Sequence, residues 1–166
     1  MMKNPLKSNK GYTLLFAVLV SSVVLSIGIS ILTISKKEFL LSASAKDSTS
    51  AFYAADTGIE CAAYYDSNSS KFSTTTDDSS PFNCADYDIE REVTMTGTTY
   101  DPYVFSFQMP LGSSGVCAVV TVEKYYDDVD IERTKIISRG YNIGWDESDC
   151  DESSPRRVER ALQLIY

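Results

Sequence analysis

Apolar residues run without a charge from Tyr12 to Ser35, a stretch of 24 positions closed by Lys36 and Lys37. About 20 apolar helical residues span a bilayer's hydrocarbon core. Backbone groups there find no water, so the pattern predicts a membrane-spanning helix. The run is longer than a signal-peptide core, and no small-residue cleavage site follows it. Beyond it the pattern changes to steps of four and three. Leu41, Ala45, Ser48, Phe52, Ala55, Ile59 and Ala62 fall on one helical face. With no proline between Pro5 and Pro81, one helix is expected from about Tyr12 to Tyr65, roughly 80 Å long. Gly58 is a place for a bend or an early end. Gly28 is a place for close packing with another helix.

Residues 66–83 break the pattern, since 9 of these 18 positions are Ser or Thr, and a mobile surface loop is expected. From Asp86 onward the period is two. Tyr103, Phe105, Phe107 and Met109 mark a half-buried strand closed by Pro110, its alternation being that of a sheet core. Val116–Tyr126 and Thr134–Tyr141 form two more strands, joined by the acidic turn Asp127-Asp128-Val129-Asp130 as an antiparallel hairpin. Arg157–Tyr166 is a further strand, and Ile89–Thr96 a weaker one. The fold class is therefore α+β: a long amino-terminal helix, its first half transmembrane, packed on a small antiparallel sheet. The expected organisation is a leader (1–11), a membrane-spanning half-helix (12–35), a soluble half-helix (36–65) and a β-rich domain (66–166).

Lys3, Lys7 and Lys10 precede the span with no acid among them. Positive flanks stay cytoplasmic, so the carboxyl-terminal bulk is expected across the membrane. Without the first 11 residues the chain keeps all 23 acids and 12 of 15 basic residues, a formal charge of about −11. Such a surface repels phosphates, which argues against bulk nucleic-acid binding. Arg156, Arg157 and Arg160 form a local basic group that reads as partners for nearby aspartates. The chain has no histidine, which removes the commonest general base and the usual nucleophile triads. No enzymatic activity is expected.

Cys61, Cys84, Cys117 and Cys150 contain no C-x-x-C spacing and are even in number, which predicts two disulfides with three possible pairings. The hairpin places Cys117 across from residues near Asn142, a short loop before Cys150. Cys84 follows the loop that leaves the helix carrying Cys61. The pairs Cys61–Cys84 and Cys117–Cys150 follow. No cofactor is expected apart from calcium, for which Asp127, Asp128 and Asp130 are candidate ligands. Asp146, Glu147, Asp149, Asp151 and Glu152 form a second acidic cluster. Neither has the D-x-[DN]-x-[DN]-G spacing, and a solvated acidic surface accounts for both.

A basic leader ending Lys10-Gly11, then an aromatic residue and Thr13-Leu14-Leu15, resembles the start of type IV pilins and type II secretion pseudopilins. The resemblance implies cleavage between Gly11 and Tyr12 by a prepilin peptidase and N-methylation of Tyr12. It departs at Phe16, where most members carry glutamate at the fifth mature position. PilX-like minor pilins and K-type minor pseudopilins lack that acid, and this chain looks like one of those. The segment Ala51-Phe-Tyr-Ala-Ala-Asp-Thr-Gly-Ile-Glu-Cys61-Ala resembles the A-E-A-G-I-E-like segment of PilX-like proteins, with Asp56 where glutamate is frequent. The family implies membrane lipid, other pilin-like subunits and an inner-membrane assembly platform as partners. It also implies a filament at the cell surface as the destination. The expected role is that of a minor structural subunit, at a priming or tip position. The alternative is an uncleaved, membrane-anchored adhesin or receptor.

Overall fold

A computed structural model describes residues 10–75, 80–90, 92–95, 102–112, 114–146, 149–151 and 154–166. The chain divides into two compact units, Met1–Ser44 and Ala45–Tyr166. One helix, α1, is continuous from Lys10 to Ser69. In the first unit every residue from Tyr12 to Ser42 is exposed.

Among the described residues the second unit holds the carboxyl-terminal part of α1 and seven strands. Strands β1 (Phe82–Cys84) and β2 (Tyr87–Ile89) form a small hairpin. Its two-residue turn has positive φ at both Ala85 (52°) and Asp86 (63°), the backbone of a tight hairpin turn. Strands β3 (Glu92–Met95), β4 (Tyr103–Leu111), β5 (Val116–Tyr126), β6 (Glu132–Tyr141) and β7 (Glu159–Ile165) form an antiparallel sheet in chain order. The β5–β6 hairpin pairs Cys117 with Tyr141 and Tyr126 with Glu132, the register expected from the sequence. Asp127 holds its turn, its Oδ1 accepting from the amides of Val129 (3.0 Å) and Ile131 (2.9 Å). Pro110 does not close β4, which continues to Leu111. β3 pairs only with Val104, Phe105 and Ser106, so the proline's missing donor faces no strand. The weaker strand is in fact β2 and β3, and Thr96 lies outside the described residues.

Alternation along the strands puts Phe105, Phe107, Met109, Ala118, Val120, Val122 and Ile136 on the helix-facing side, all buried. The helix meets this face with small residues: Ala51, Ala54, Ala55, Gly58, Cys61 and Ala62. The expected face holds at Ala55 and Ala62, which are buried, and at Ile59, which packs against the core. It does not hold earlier, for Leu41, Ala45 and Phe52 are exposed and Ser48 only half-buried. Close approach decides the orientation. A β-carbon on Gly140 of β6 would fall on the backbone of Ala51 and Ala55, and one on Gly58 would lie 2.8 Å from Val120 Cγ2. Gly58 therefore does not end the helix; it lets α1 sit against the sheet.

The helix also runs four residues past Tyr65, because Asp66 has partners waiting in the sheet. The Ser/Thr-rich stretch buries more than its composition promises. Phe72 is fully buried, with ring centroids 5.7 Å from Phe105, 5.9 Å from Phe82 and 6.0 Å from Phe107. Burying one such side chain contributes about 1.5–3 kcal/mol, enough to hold this segment down. Residues 76–79 of that stretch lie outside the described residues. Disulfides join Cys61 to Cys84 and Cys117 to Cys150, with Cα–Cα separations of 6.1 and 5.9 Å.

Candidate functional sites: an apolar anchor and a cleft on the outer sheet face

Two features stand out as candidates. The first is the apolar half of α1, long and apolar enough to cross a membrane and exposed from Tyr12 to Ser42. Its hydroxyl residues turn back onto their own helix. Ser21 donates to the Ala17 carbonyl (2.6 Å), Ser22 to Leu19 (2.8 Å), Ser30 to Ser26 (2.9 Å) and Thr33 to Ser30 (2.8 Å). These polar groups are satisfied without water, which suits hydrocarbon surroundings. Gly11 and Tyr12 lie in the first turn of α1, and the Tyr12 and Phe16 side chains are exposed. No side chain approaches the space beside Gly28.

The second is an open cleft of about 400 Å³ in the β-domain, where β2 and β3 meet the outer side of β4. Tyr87, Asp88, Glu90, Glu92, Gln108 and Trp145 contribute to its walls. Tyr87 and Trp145 meet edge to face at 5.4 Å. Both are placed by disulfide-bonded neighbours. Tyr87 pairs with Cys84 across the β1–β2 turn, and Trp145 forms a bridge with Cys150. The Cys150 amide donates to Gln108 Oε1 at 2.7 Å, and the Cys150 carbonyl accepts from Arg157 Nη2 at 2.7 Å. The Arg157 guanidinium in turn lies 3.8 Å over the Tyr141 ring. Sequence reasoning overlooked this cleft. The available signal was the alternation of Asp86, Asp88, Glu90 and Glu92, together with the single tryptophan placed near a cysteine.

Of the candidate calcium residues, Asp127 is committed to its turn. Besides the two amides, its Oδ2 accepts from Arg133 Nε at 3.0 Å. The Ile131 amide is the chief reason its carboxyl is held below the usual range, ahead of the Val129 amide and Arg133. Among the described residues no three His, Cys, Asp or Glu side chains converge as a metal site. In the second acidic cluster Asp146 Oδ1 accepts from the Asp149 amide and Asp151 lies 3.9 Å from Arg157, while Glu147 and Glu152 fall outside the described residues. Of the basic group, Arg160 Nε donates to Ser48 Oγ on α1 at 2.9 Å.

Comparison with protein-family models, with curated proteins and with solved structures finds no match to this chain.

Proposed function

We propose that the chain is a minor pilin-like structural subunit of a type IV pilus or type II secretion pseudopilus. In this reading α1 anchors it in the membrane until a prepilin peptidase removes Met1–Gly11. The freed helix then leaves the bilayer to pack among other pilin-like subunits on an inner-membrane assembly platform, while the disulfide-braced β-domain faces outward. The observation that carries the reading is the Lys10-Gly11 junction set directly before a charge-free run that continues as one helix into the β-domain. Its role is structural rather than enzymatic. Phe16, in place of an acid that would pair with a neighbour's amino terminus, supports a priming or tip position.

The deciding experiment is intact-mass measurement on protein from its native cell. Loss of Met1–Gly11, with Tyr12 free or methylated at the amino terminus, is the expected result. A full-length chain there overturns the reading. It would favour a permanently anchored surface-binding protein, an alternative that the open cleft also suits. Changing Phe16 to Glu is expected to alter assembly or location; no change would remove the basis for the tip position.

A further inference from the structure

We infer that the cleft between β2 and the outer side of β4 binds an organic cation, a guanidinium or alkylammonium group. This goes beyond the assembly reading and holds whether or not the leader is removed.

The cavity comes first. About 400 Å³ lies within the range of small-ligand clefts, and the lining is mostly polar, with Tyr87, Phe107 and Trp145 as its aromatic members. The walls are also fixed. Tyr87 and Trp145 each sit beside or opposite a cysteine of a different disulfide, and Gln108 is held by the Cys150 amide. Aromatic faces and edges held this way form a preorganised surface rather than a loose patch.

Charge then selects the class of ligand. Asp88, Glu90 and Glu92 all contribute to the lining, and none is in an ion pair among the described residues. Asp88 accepts a single hydrogen bond, from Asn83 Nδ2 at 3.1 Å. Elsewhere on the domain half-buried carboxylates do find cations: Glu123 meets Lys135 at 2.9 Å and Asp127 meets Arg133 at 3.0 Å. The cleft thus gathers carboxylates that are in no ion pair among the described residues beside aromatic rings, which attract a cation through their π-faces. Anions and phosphates are repelled there. Neutral sugars would use the rings but not the charge.

Trp145 is the only tryptophan in the chain, so its fluorescence reports on this cleft alone. The full chain in detergent micelles at low salt is titrated with argininamide, with its neutral isostere citrullinamide, and with spermidine. A saturable change in Trp145 emission with argininamide or spermidine is expected, with none from citrullinamide. Adding 0.5 M salt should weaken it. Glu90→Gln/Glu92→Gln, both exposed, is expected to lower affinity tenfold or more at an unchanged thermal midpoint. Asp88→Asn serves as a second, independent variant if that pair misfolds. Tighter binding of argininamide points to a basic side chain on a neighbouring polypeptide, and tighter binding of spermidine to a free polyamine; either upholds the cation site. No saturable response to both cations, an equal response to citrullinamide, or undiminished affinity in the variants overturns it.

Discussion

Lys124 Nζ on β5 lies 2.7 Å from each carboxylate oxygen of Asp66, near the end of α1, with both side chains more than nine-tenths buried. Three further residues join the group, the first being Glu132, whose Oε1 lies 3.8 Å from Lys124 Nζ. The Thr134 hydroxyl accepts from Lys124 at 2.7 Å, and the Tyr166 hydroxyl donates to Asp66 Oδ2 at 2.7 Å. The main chain reinforces this, since Thr134 and Tyr166 exchange amide–carbonyl hydrogen bonds of 2.9 and 3.1 Å. One polar cluster therefore ties the last turns of the helix to β5, β6 and the residue after β7.

Removing one member strands a buried charge. Lys124→Met or Asp66→Leu alone is expected to cost about 3–5 kcal/mol, while the double substitution costs much less than the sum. Denaturant unfolding of all three variants in the same detergent checks this. Strict additivity would show that the two charges do not depend on each other.

The cluster also sets an alkaline limit. Burial first, and then the hydrogen bond to Asp66, raise the Tyr166 phenol above its ordinary value. Tyr141 is raised as well, by burial and then by Glu159. A phenol that holds its proton more tightly when folded contributes stability that is complete below the unfolded value near 10. That contribution is lost as pH rises through the folded value. Stability is therefore expected to fall from about pH 10 upward, and Tyr166→Phe should flatten that fall. Unfolding midpoints measured at several alkaline pH values for both proteins would show it.

Glycine substitutions test the helix–sheet contact. In an open helix Gly58→Ala would add about 1 kcal/mol of stability. Here the added methyl meets Ser138 Oγ and Val120, so a loss of about 1–3 kcal/mol is expected instead. Adding Ser138→Ala should return part of it, because that hydroxyl is buried and has no hydrogen-bond partner among the described residues. Gly140→Ala is expected to be worse, since backbone at Ala51 and Ala55 yields less readily than a hydroxyl. Thermal midpoints of the three variants give the order directly.

Each disulfide is expected to contribute about 2–4 kcal/mol. Their effects on the cleft should be distinguishable. Loss of Cys117–Cys150 by paired Ser substitution should shift Trp145 emission, because the bridge between Trp145 and Cys150 loses its anchor. Loss of Cys61–Cys84 should act through Tyr87 and leave a smaller change in emission.

The strands and the disulfide pairs were legible because alternation and hairpin register are local arithmetic. With Asp128 and Val129 near the turn, Cys117 is expected across from residues near Asn142, and it comes opposite Tyr141. The buried helix face was legible only at Ala55, Ile59 and Ala62, for a physical reason. Hydropathy favours large side chains such as Leu41 and Phe52, whereas contact with a flat sheet favours the smallest ones. Phe72 was hidden by its polar neighbours and Asp66 by a composition break that the helix ignores. Each acquires its place from partners more than ten residues away along the chain. The cleft was missed because its walls come from four separate segments. Cleavage at Gly11 and the assembly role rest on the amino-terminal motif and wait on the mass measurement.

A contact made of alanines and glycines leaves the carboxyl-terminal part of α1 almost no freedom to roll or slide. Phe52, Tyr53, Glu60 and Tyr64, on its exposed side, are consequently displayed at fixed azimuth and spacing. A row indexed so firmly behaves like the teeth of a key: a neighbouring molecule that reads it must conform to the row, because the row cannot conform to its neighbour.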